Sequence, residues 1–364
     1  MKRRSFPYRM ETVCLLGVLP LSMPFILAPM AGVSDLPFRL IAREKGCPLA
    51  FTEMVNARAL GFANVRTLKL LQSSPLDRPL GVQLLGRDSE FLLRALDALA
   101  DYGYDLLDLN AACPVPKVTR KGEGAALLRE PGTLSRLVAV LKAHTPRPVT
   151  VKIRSGWDPA SINAPEIARR MEDAGADGVC VHGRTRDQGY RGKADRAVIR
   201  AVKEAVRIPV IASGDLFSAG AAIQMARETG CDALMIARGS LGNPWIFQEL
   251  AAASSGAGET GAGPVPVRTA EELRATMEKH LALSTEWHGQ PAGVINFRKC
   301  FIWYTRGLRN GRLLRPKAVR VSSLDEMKAL IREIESAPAP GSSPPVSQAS
   351  PYGPHRGSTR APIP

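Results

Sequence analysis

An α/β fold of the (β/α)8 TIM-barrel type, followed by a small all-helical C-terminal domain, is the architecture this 364-residue sequence predicts. Three observations predict it. Short, continuous apolar runs alternate with amphipathic stretches, the pattern of parallel strands buried on both faces between helices. Eight such runs fall between Phe25 and Ala253, which matches a closed barrel in count and length. After a Gly/Ala/Ser/Pro stretch, only helical periodicity resumes. An open, doubly wound sheet is the alternative, but it normally holds fewer strands, and no G-x-G-x-x-G follows any of the runs.

The predicted strands are Phe25–Ala28, Leu49–Thr52, Gly81–Leu84, Leu106–Leu109, Val149–Ile153, Gly178–Val181, Pro209–Ala212 and Ala233–Ile236. Amphipathic stretches between them include Glu90–Asp101, Thr133–His144, Pro165–Ala174, Asp195–Val206 and Ala219–Glu228. Gly103, Gly175 and Gly230 precede strands, where glycine accepts the left-handed conformation that ends a helix. The organisation follows: residues 1–20 are a lead-in, 21–253 the catalytic barrel, 254–268 a linker and 269–336 a helical domain. Helical periodicity there covers Thr269–Glu286, Gly293–Leu308 and Ser323–Ser336. Residues 337–364 are Pro, Ser and Gly with almost no apolar content, and a disordered tail is expected.

Lys2, Arg3 and Arg4 precede an apolar run from Val13 to Leu27, which imitates a signal peptide. Pro20 and Pro24 break the run, and it reads equally well as a lead-in and first strand. No segment is long and apolar enough for a spanning helix, so no membrane association and a cytoplasmic location are expected. The six cysteines are scattered without a C-x-x-C pair, which argues against a zinc ribbon or a disulfide framework, and no metal site is predicted.

Forty-nine Lys and Arg stand against 34 Asp and Glu, a net charge of +15. Small-metabolite chemistry does not need that excess, whereas a polyanionic partner does. The charge is concentrated. Residues 291–320 hold Arg298, Lys299, Arg306, Arg309, Arg312, Arg315, Lys317 and Arg320 with no acidic residue. The same stretch holds Phe297, Phe301, Trp303 and Tyr304. It is either a nucleic-acid surface or a solvated helix face over an aromatic core.

A barrel of this type places its chemistry at the C-terminal ends of the strands. The residues there are Pro29-Met30-Ala31-Gly32, Glu53, Gln83, Asn110 to Cys113, Lys152 with Arg154, His182-Gly183-Arg184, Ser213-Gly214-Asp215 and Arg238-Gly239-Ser240. The glycine-containing turns after strands seven and eight suit a cofactor phosphate, because glycine lets backbone N–H groups approach an anion. Cys113 is open to three readings: a proton donor, a nucleophile or an inert loop thiol.

The ordered set PMAGVSDLPFR, VQLLG, DLNAACPVPKVTRKGEGAALL, VKIRSGW, VHGRTR and MIARGSLGNPWIF resembles the tRNA-dihydrouridine synthases, most closely their bacterial B-type group. It spans Pro24 to Leu250, and RKCFIWYTRGL resembles the family's helical, tRNA-contacting domain. The resemblance implies an FMN enzyme that reduces the C5–C6 double bond of particular tRNA uridines, with NADPH or NADH as reductant. It implies a monomer bound to tRNA. By the same resemblance Pro29, Met30 and Ala31 line the flavin ring, and Gln83 and Lys152 bind its polar edge. A cation there suits the negative charge a reduced flavin gathers. His182 lies at the flavin–uridine junction. Ser213, Gly214, Asp215, Ala237 and Arg238 hold the ribityl phosphate. Asn110 holds the uracil, and Cys113 is the general acid. Lys117, Arg120 and Lys121 meet the tRNA backbone, as do Arg298 and Lys299 in the helical domain.

The sequence departs from the family pattern in three places. Ser213 stands where the family usually has Asn, Ala237 where it has Gly, and Ala111-Ala112 where it has Met-Gly. If backbone groups bind the phosphate, the first two matter little. A flavin barrel acting on a small pyrimidine-like metabolite would explain the same strand ends but not the basic segment. A non-catalytic RNA-binding protein would not need Cys113, Lys152, Gln83 and His182 together.

Overall fold

In a computed structural model the described residues are 14–254 and 268–335. The predicted tail, nearly all of the predicted linker and residues 1–13 of the lead-in lie outside them. Eight parallel strands close into a barrel: β1 Phe25–Leu27, β2 Leu49–Asn56, β3 Leu80–Leu85, β4 Leu106–Ala111, β5 Val149–Arg154, β6 Gly178–His182, β7 Val210–Ser213 and β8 Ala233–Ile236. Each pairs with its sequence neighbours, and β8 pairs with β1.

Alternation along the strands fills the interior in layers. Ile26, Leu49, Phe51, Leu106, Cys180, Ile211 and Met235 form an apolar lower layer. Phe51 fits because β3 offers Gly81 opposite; a Cβ there would lie 2.3 Å from the Phe51 ring. The lower end is closed by a hairpin, Cys14–Leu16 paired antiparallel with Leu19–Leu21, whose Leu16 and Leu21 are fully buried in this layer. The apolar run near the N-terminus is therefore part of the barrel core, not one strand with a plain lead-in. Above the apolar layer sit Gln83, Asp108, Asn110, Thr150 and His182, all buried, with half-buried Lys152.

Two expectations are corrected. Strand β2 runs to Asn56 rather than Thr52, because an irregularity between Phe51 and Met54 lets polar Glu53 fit without ending the pairing. Gly175 and Gly230 adopt positive φ as expected, but Gly103 does not. The Arg78 guanidinium lies over it, 1.7 Å from where a Cβ would stand.

The C-terminal region contains helices Ala270–His288, Ala292–Tyr304, Gly311–Ala318 and Leu324–Arg332. Thr269 and Ser323 cap the first and last with their side-chain oxygens. The predicted helix to Leu308 stops at Tyr304, and Gly307 turns the chain at φ 77°. Phe297, Phe301 and Met277 join the same continuous core as Phe38 and Trp245 of the barrel unit. Polar contacts fix the junction: Lys279 to Glu44 at 2.6 Å, His288 to Asp35 at 2.9 Å and the Lys299 ammonium to the Gly32 carbonyl at 2.5 Å. The helices thus stand beside the turn after β1, at the rim where the site lies.

Candidate active site

A cavity of about 600 Å³ opens at the C-terminal ends of the strands. Pro29, Met30 and Ala31 after β1 form one wall. Gln83, Asn110 and Lys152 rise from β3, β4 and β5, and His182 from β6. Cys113 follows β4; Ser213, Gly214 and Asp215 end or follow β7; Ala237 and Arg238 follow β8. The structure brings all of these predicted residues to one cavity. Lys117 borders it, while Arg120, Lys121, Arg298 and Lys299 do not.

The turns after β7 and β8 form its anion-seeking end. Gly214 has φ 116°, and a Cβ there would lie 2.8 Å from the His182 ring and 2.7 Å from the Ala194 side chain. Gly239 packs so closely that a Cβ would meet the Leu216 carbonyl at 2.0 Å. Among the described residues, the N–H groups of Gly214, Asp215, Arg238 and Gly239 donate to no other backbone group. The Asp215 side chain is engaged within the protein. Its carboxylate accepts from Arg184 through both oxygens at 2.8 Å, and from the Ala194 N–H at 2.8 Å. It also meets Arg238 at 3.4 Å, whose guanidinium lies over the Tyr190 and Phe217 rings. The Asp215 side chain thus sets the two arginines, and its N–H has no backbone acceptor among the described residues.

Lys152 reaches into the cavity and makes no hydrogen bond or ion pair among the described residues. Arg154, Arg184 and Arg238 add three more cations near it, against Asp108 and Asp215. Burial first, then Arg154, Lys152, Arg184 and Arg238, hold His182 well below its ordinary pKa, so it is neutral at pH 7. Its Nε2 stands 3.4 Å from Arg184 Nη1 and can only accept there.

Cys113 is half-buried on a tightly tied loop. Its N–H and that of Ala112 both donate to Asn110 Oδ1, at 2.8 and 3.0 Å. Arg154 Nε donates to the Ala112 carbonyl at 2.8 Å, and its Nη1 to the carbonyls of Thr185 and Gly189. Gly124 completes the mount; with φ 61°, its Cβ would fall 2.8 Å from the Cys113 carbonyl. Burial raises the Cys113 pKa, so the thiol keeps its proton at neutral pH. The Asn110 amide is largely taken up: Oδ1 by the loop, and Nδ2 by Gln83 Oε1 at 2.8 Å and the Met54 sulfur at 3.2 Å. Only the weak N–H···S contact is readily exchanged for a ligand, so Asn110 is first a mount for Cys113.

Arg298 and Lys299 each have a partner within the protein. Arg298 Nε donates to the Val321 carbonyl at 2.7 Å and ties the helical region together, while Lys299 holds that region to Gly32. Of the basic residues in 291–320 and on the loop after β4, those exposed and without an ion-pair partner among the described residues are Arg309, Arg312 and Arg320, together with Lys117, Arg120 and Lys121 beside Cys113. Sequence reading places Arg154 and Arg184 at the strand ends without a role, and does not single out Tyr190 or Phe217. Each arginine lies two residues beyond an inward-facing Lys152 or His182 and shares its strand parity. The two aromatic residues sit on loops, where no periodicity points to them.

The dihydrouridine synthase family profile matches residues 26–338. The chain is 37% identical over 335 residues to tRNA-dihydrouridine synthase B of Xanthomonas axonopodis pv. citri, covering 92% of this chain and 99% of that protein. It is 38% identical over 318 residues to the probable tRNA-dihydrouridine synthase 1 of Synechocystis, covering 87% of each. Among solved structures, histamine dehydrogenase from Rhizobium sp. 4-9 superposes with a TM-score of 0.55 over 92% of this chain and 66% of that one, at 13% identity. That last likeness concerns the fold alone.

Proposed function

This chain belongs to the dihydrouridine synthase family, and from that premise we propose that it reduces the C5–C6 double bond of uridines in tRNA, with FMN as cofactor and NADPH as reductant. The observation that carries the reading is the pairing, across one cavity, of an unpartnered lysine with a protonated, half-buried thiol.

The donor set suits FMN. The N–H groups of Gly214, Asp215, Arg238 and Gly239 and the Arg238 guanidinium would hold the phosphate. Ser213 and Ala237 cost little in such a cradle, since backbone groups do the binding. Lys152 would face the electron-rich edge of the ring. Gln83 keeps one amide hydrogen and one lone pair beyond those already engaged, enough to pair with that edge. Pro29, Met30 and Ala31 would cover the ring face. Bound and reduced there, FMN would supply the hydride needed at uracil C6.

Cys113 then delivers its proton to C5, so that one hydride and one proton saturate the double bond, and the thiolate regains its proton from solvent. A thiol that keeps its proton at neutral pH suits this role better than nucleophilic attack. Neutral His182 can orient the base without adding charge. The base must leave its stack to reach the cavity. Lys117, Arg120 and Lys121 on one side, and Arg309, Arg312 and Arg320 on the helical region, supply phosphate contacts for the tRNA. The helical region, taken as residues 269–336, serves as the tRNA-binding domain of a monomeric, cytoplasmic enzyme.

The test is dihydrouridine formation in an unmodified tRNA transcript given the purified holoenzyme and NADPH. Flavin oxidation should be stimulated by tRNA and not by free uracil or orotate. Reoxidation by a free pyrimidine with no response to tRNA would overturn the reading.

A further inference from the structure

Asp108 lies beneath the cavity, 1% exposed, on β4 two residues before Asn110. It does not line the cavity, and no step of the proposed reaction uses it. Its carboxylate accepts from Thr150 Oγ1 at 2.7 Å and from Gln83 Nε2 at 2.7 Å. An ionised carboxylate can only accept. That fixes the Gln83 amide with nitrogen down and oxygen up. The raised Oε1 accepts from Asn110 Nδ2 at 2.8 Å, which in turn faces Asn110 Oδ1 toward the N–H groups of Ala112 and Cys113. One acceptor-only group thus sets two amides and, through them, the loop that carries the thiol. The register supports the relay, because Gln83 pairs with Asp108, and Asp108 with Thr150, on adjacent strands.

We propose that Asp108 is a positioning residue that orients the cofactor-facing Gln83 amide and holds Cys113 in place through Asn110. The Cys113 role rests on the function proposed above; the orientation of the loop does not. The groups facing Asp108 are Thr150 and Lys152 from β5, Gln83 from β3 and the Cys180 thiol from β6. Burial raises the Asp108 pKa to about 6, against the lowering effects of Thr150, Gln83 and Lys152. The carboxylate is therefore mostly ionised at pH 7. Below about pH 6 it gains a proton and can donate, and the fixed direction of the chain is lost.

The test uses holoenzyme of Asp108→Leu, Asp108→Asn and Thr150→Val. Three quantities are read: kcat and KM on tRNA against pH, flavin content, and the alkylation rate of Cys113 followed by peptide mass. Asp108→Leu should lower kcat about ten- to hundredfold, as expected for a misplaced reacting group. KM for tRNA should stay within about twofold, and Cys113 alkylation should speed up severalfold. Asp108→Asn keeps an acceptor for Gln83, so it should recover much of the kcat while losing the wild-type acid limb near pH 6. Thr150→Val removes one hydrogen bond to the carboxylate and should move that limb upward. Folded Asp108→Leu enzyme with wild-type kcat and alkylation rate would overturn the proposal. If Asp108→Leu does not fold, an unchanged acid limb in both other variants overturns it. A wild-type enzyme that makes no dihydrouridine would instead refute the proposed function, while alkylation, which needs no tRNA, would still decide the role of Asp108.

Discussion

Replacing Gly214 by Ala should damage cofactor binding more than it damages the fold. Two costs can be separated by comparison with Gly230. At Gly230 φ is 67° and nothing lies within 4 Å of a Cβ, so Gly230→Ala meets only the left-handed backbone penalty, about 1–2 kcal/mol. At Gly214 φ is 116°, and the added methyl also stands 2.7 Å from the Ala194 Cβ and 2.8 Å from the His182 ring. Backbone strain there is about 1–3 kcal/mol. Overpacking adds about 1–3 kcal/mol. Because one local shift relieves part of both, roughly 2–4 kcal/mol is expected, enough to lower Tm by on the order of 5 °C or more. The shift that relieves the clash moves the Gly214 and Asp215 backbone and the His182 ring, and all three residues line the cavity. Thermal unfolding and flavin content per chain of the two variants are the assay. Gly230→Ala should retain flavin with a small drop in Tm, and Gly214→Ala should lose most of its flavin with a Tm drop of about 5 °C or more. Gly214→Ala with full flavin and the Tm of Gly230→Ala would refute the placement of the phosphate cradle.

Cys113→Ala should keep its flavin and lose about 10²–10⁴-fold in turnover on tRNA, measured as dihydrouridine formed; turnover at the wild-type rate would remove the thiol from the reaction. Exchanging Arg309, Arg312 and Arg320 for Gln should weaken tRNA binding and make its log–log salt slope shallower by roughly 2 to 3, at about 0.7–0.9 per phosphate contact, with NADPH oxidation in the absence of tRNA unchanged. A slope equal to wild type would mean these three face only solvent. His280 is buried between Phe38, Phe297 and Tyr304, and burial takes its pKa down to about 4. The unfolded chain therefore binds this proton first, so stability is intact above about pH 6.5 and falls as pH drops toward 4, by at most about 3 kcal/mol from this group. His280→Gln, which can still accept from the Tyr304 hydroxyl, should narrow the Tm gap between pH 7 and pH 5; an unchanged gap would assign acid sensitivity elsewhere.

The barrel was legible because its strands are buried on both faces, and a short apolar run bounded by turn residues suits a doubly covered strand better than any exposed element. The chemistry was legible at the strand ends for a related reason: polar residues such as Gln83, Lys152 and His182 have no business ending apolar runs unless they face a shared cavity. What escaped was information held between strands rather than along one. Phe51 needs Gly81, and β2 needs its irregularity to pass Glu53, yet neither requirement shows in a local pattern. Asp108 is hidden in the same way. Within Leu106–Ala111 it is one acid in an apolar run, and only the register with Gln83 and Thr150 gives it partners.

The basic segment shows why a census of charges misjudges surfaces. Between residues 291 and 320 the sequence offers eight cations and no acids, so every cation looks available to a phosphate. Folding supplies partners that such a census does not count. Arg298 donates through Nε to the Val321 carbonyl, Lys299 to that of Gly32, and Lys317 pairs with Glu333, which lies just beyond the segment. Arg315 reaches the Thr305 carbonyl, and Arg306 is half-buried beside it. Backbone carbonyls left outside helices and strands are acceptors that a count of acidic residues omits, and arginine or lysine meets them without any acidic partner. The cations left over are Arg309, Arg312 and Arg320, on the turn before helix Gly311–Ala318, within it and after it. An RNA surface on this region is therefore better sought around that helix than along Ala292–Tyr304, whose aromatic residues are core and whose two central cations hold the protein together.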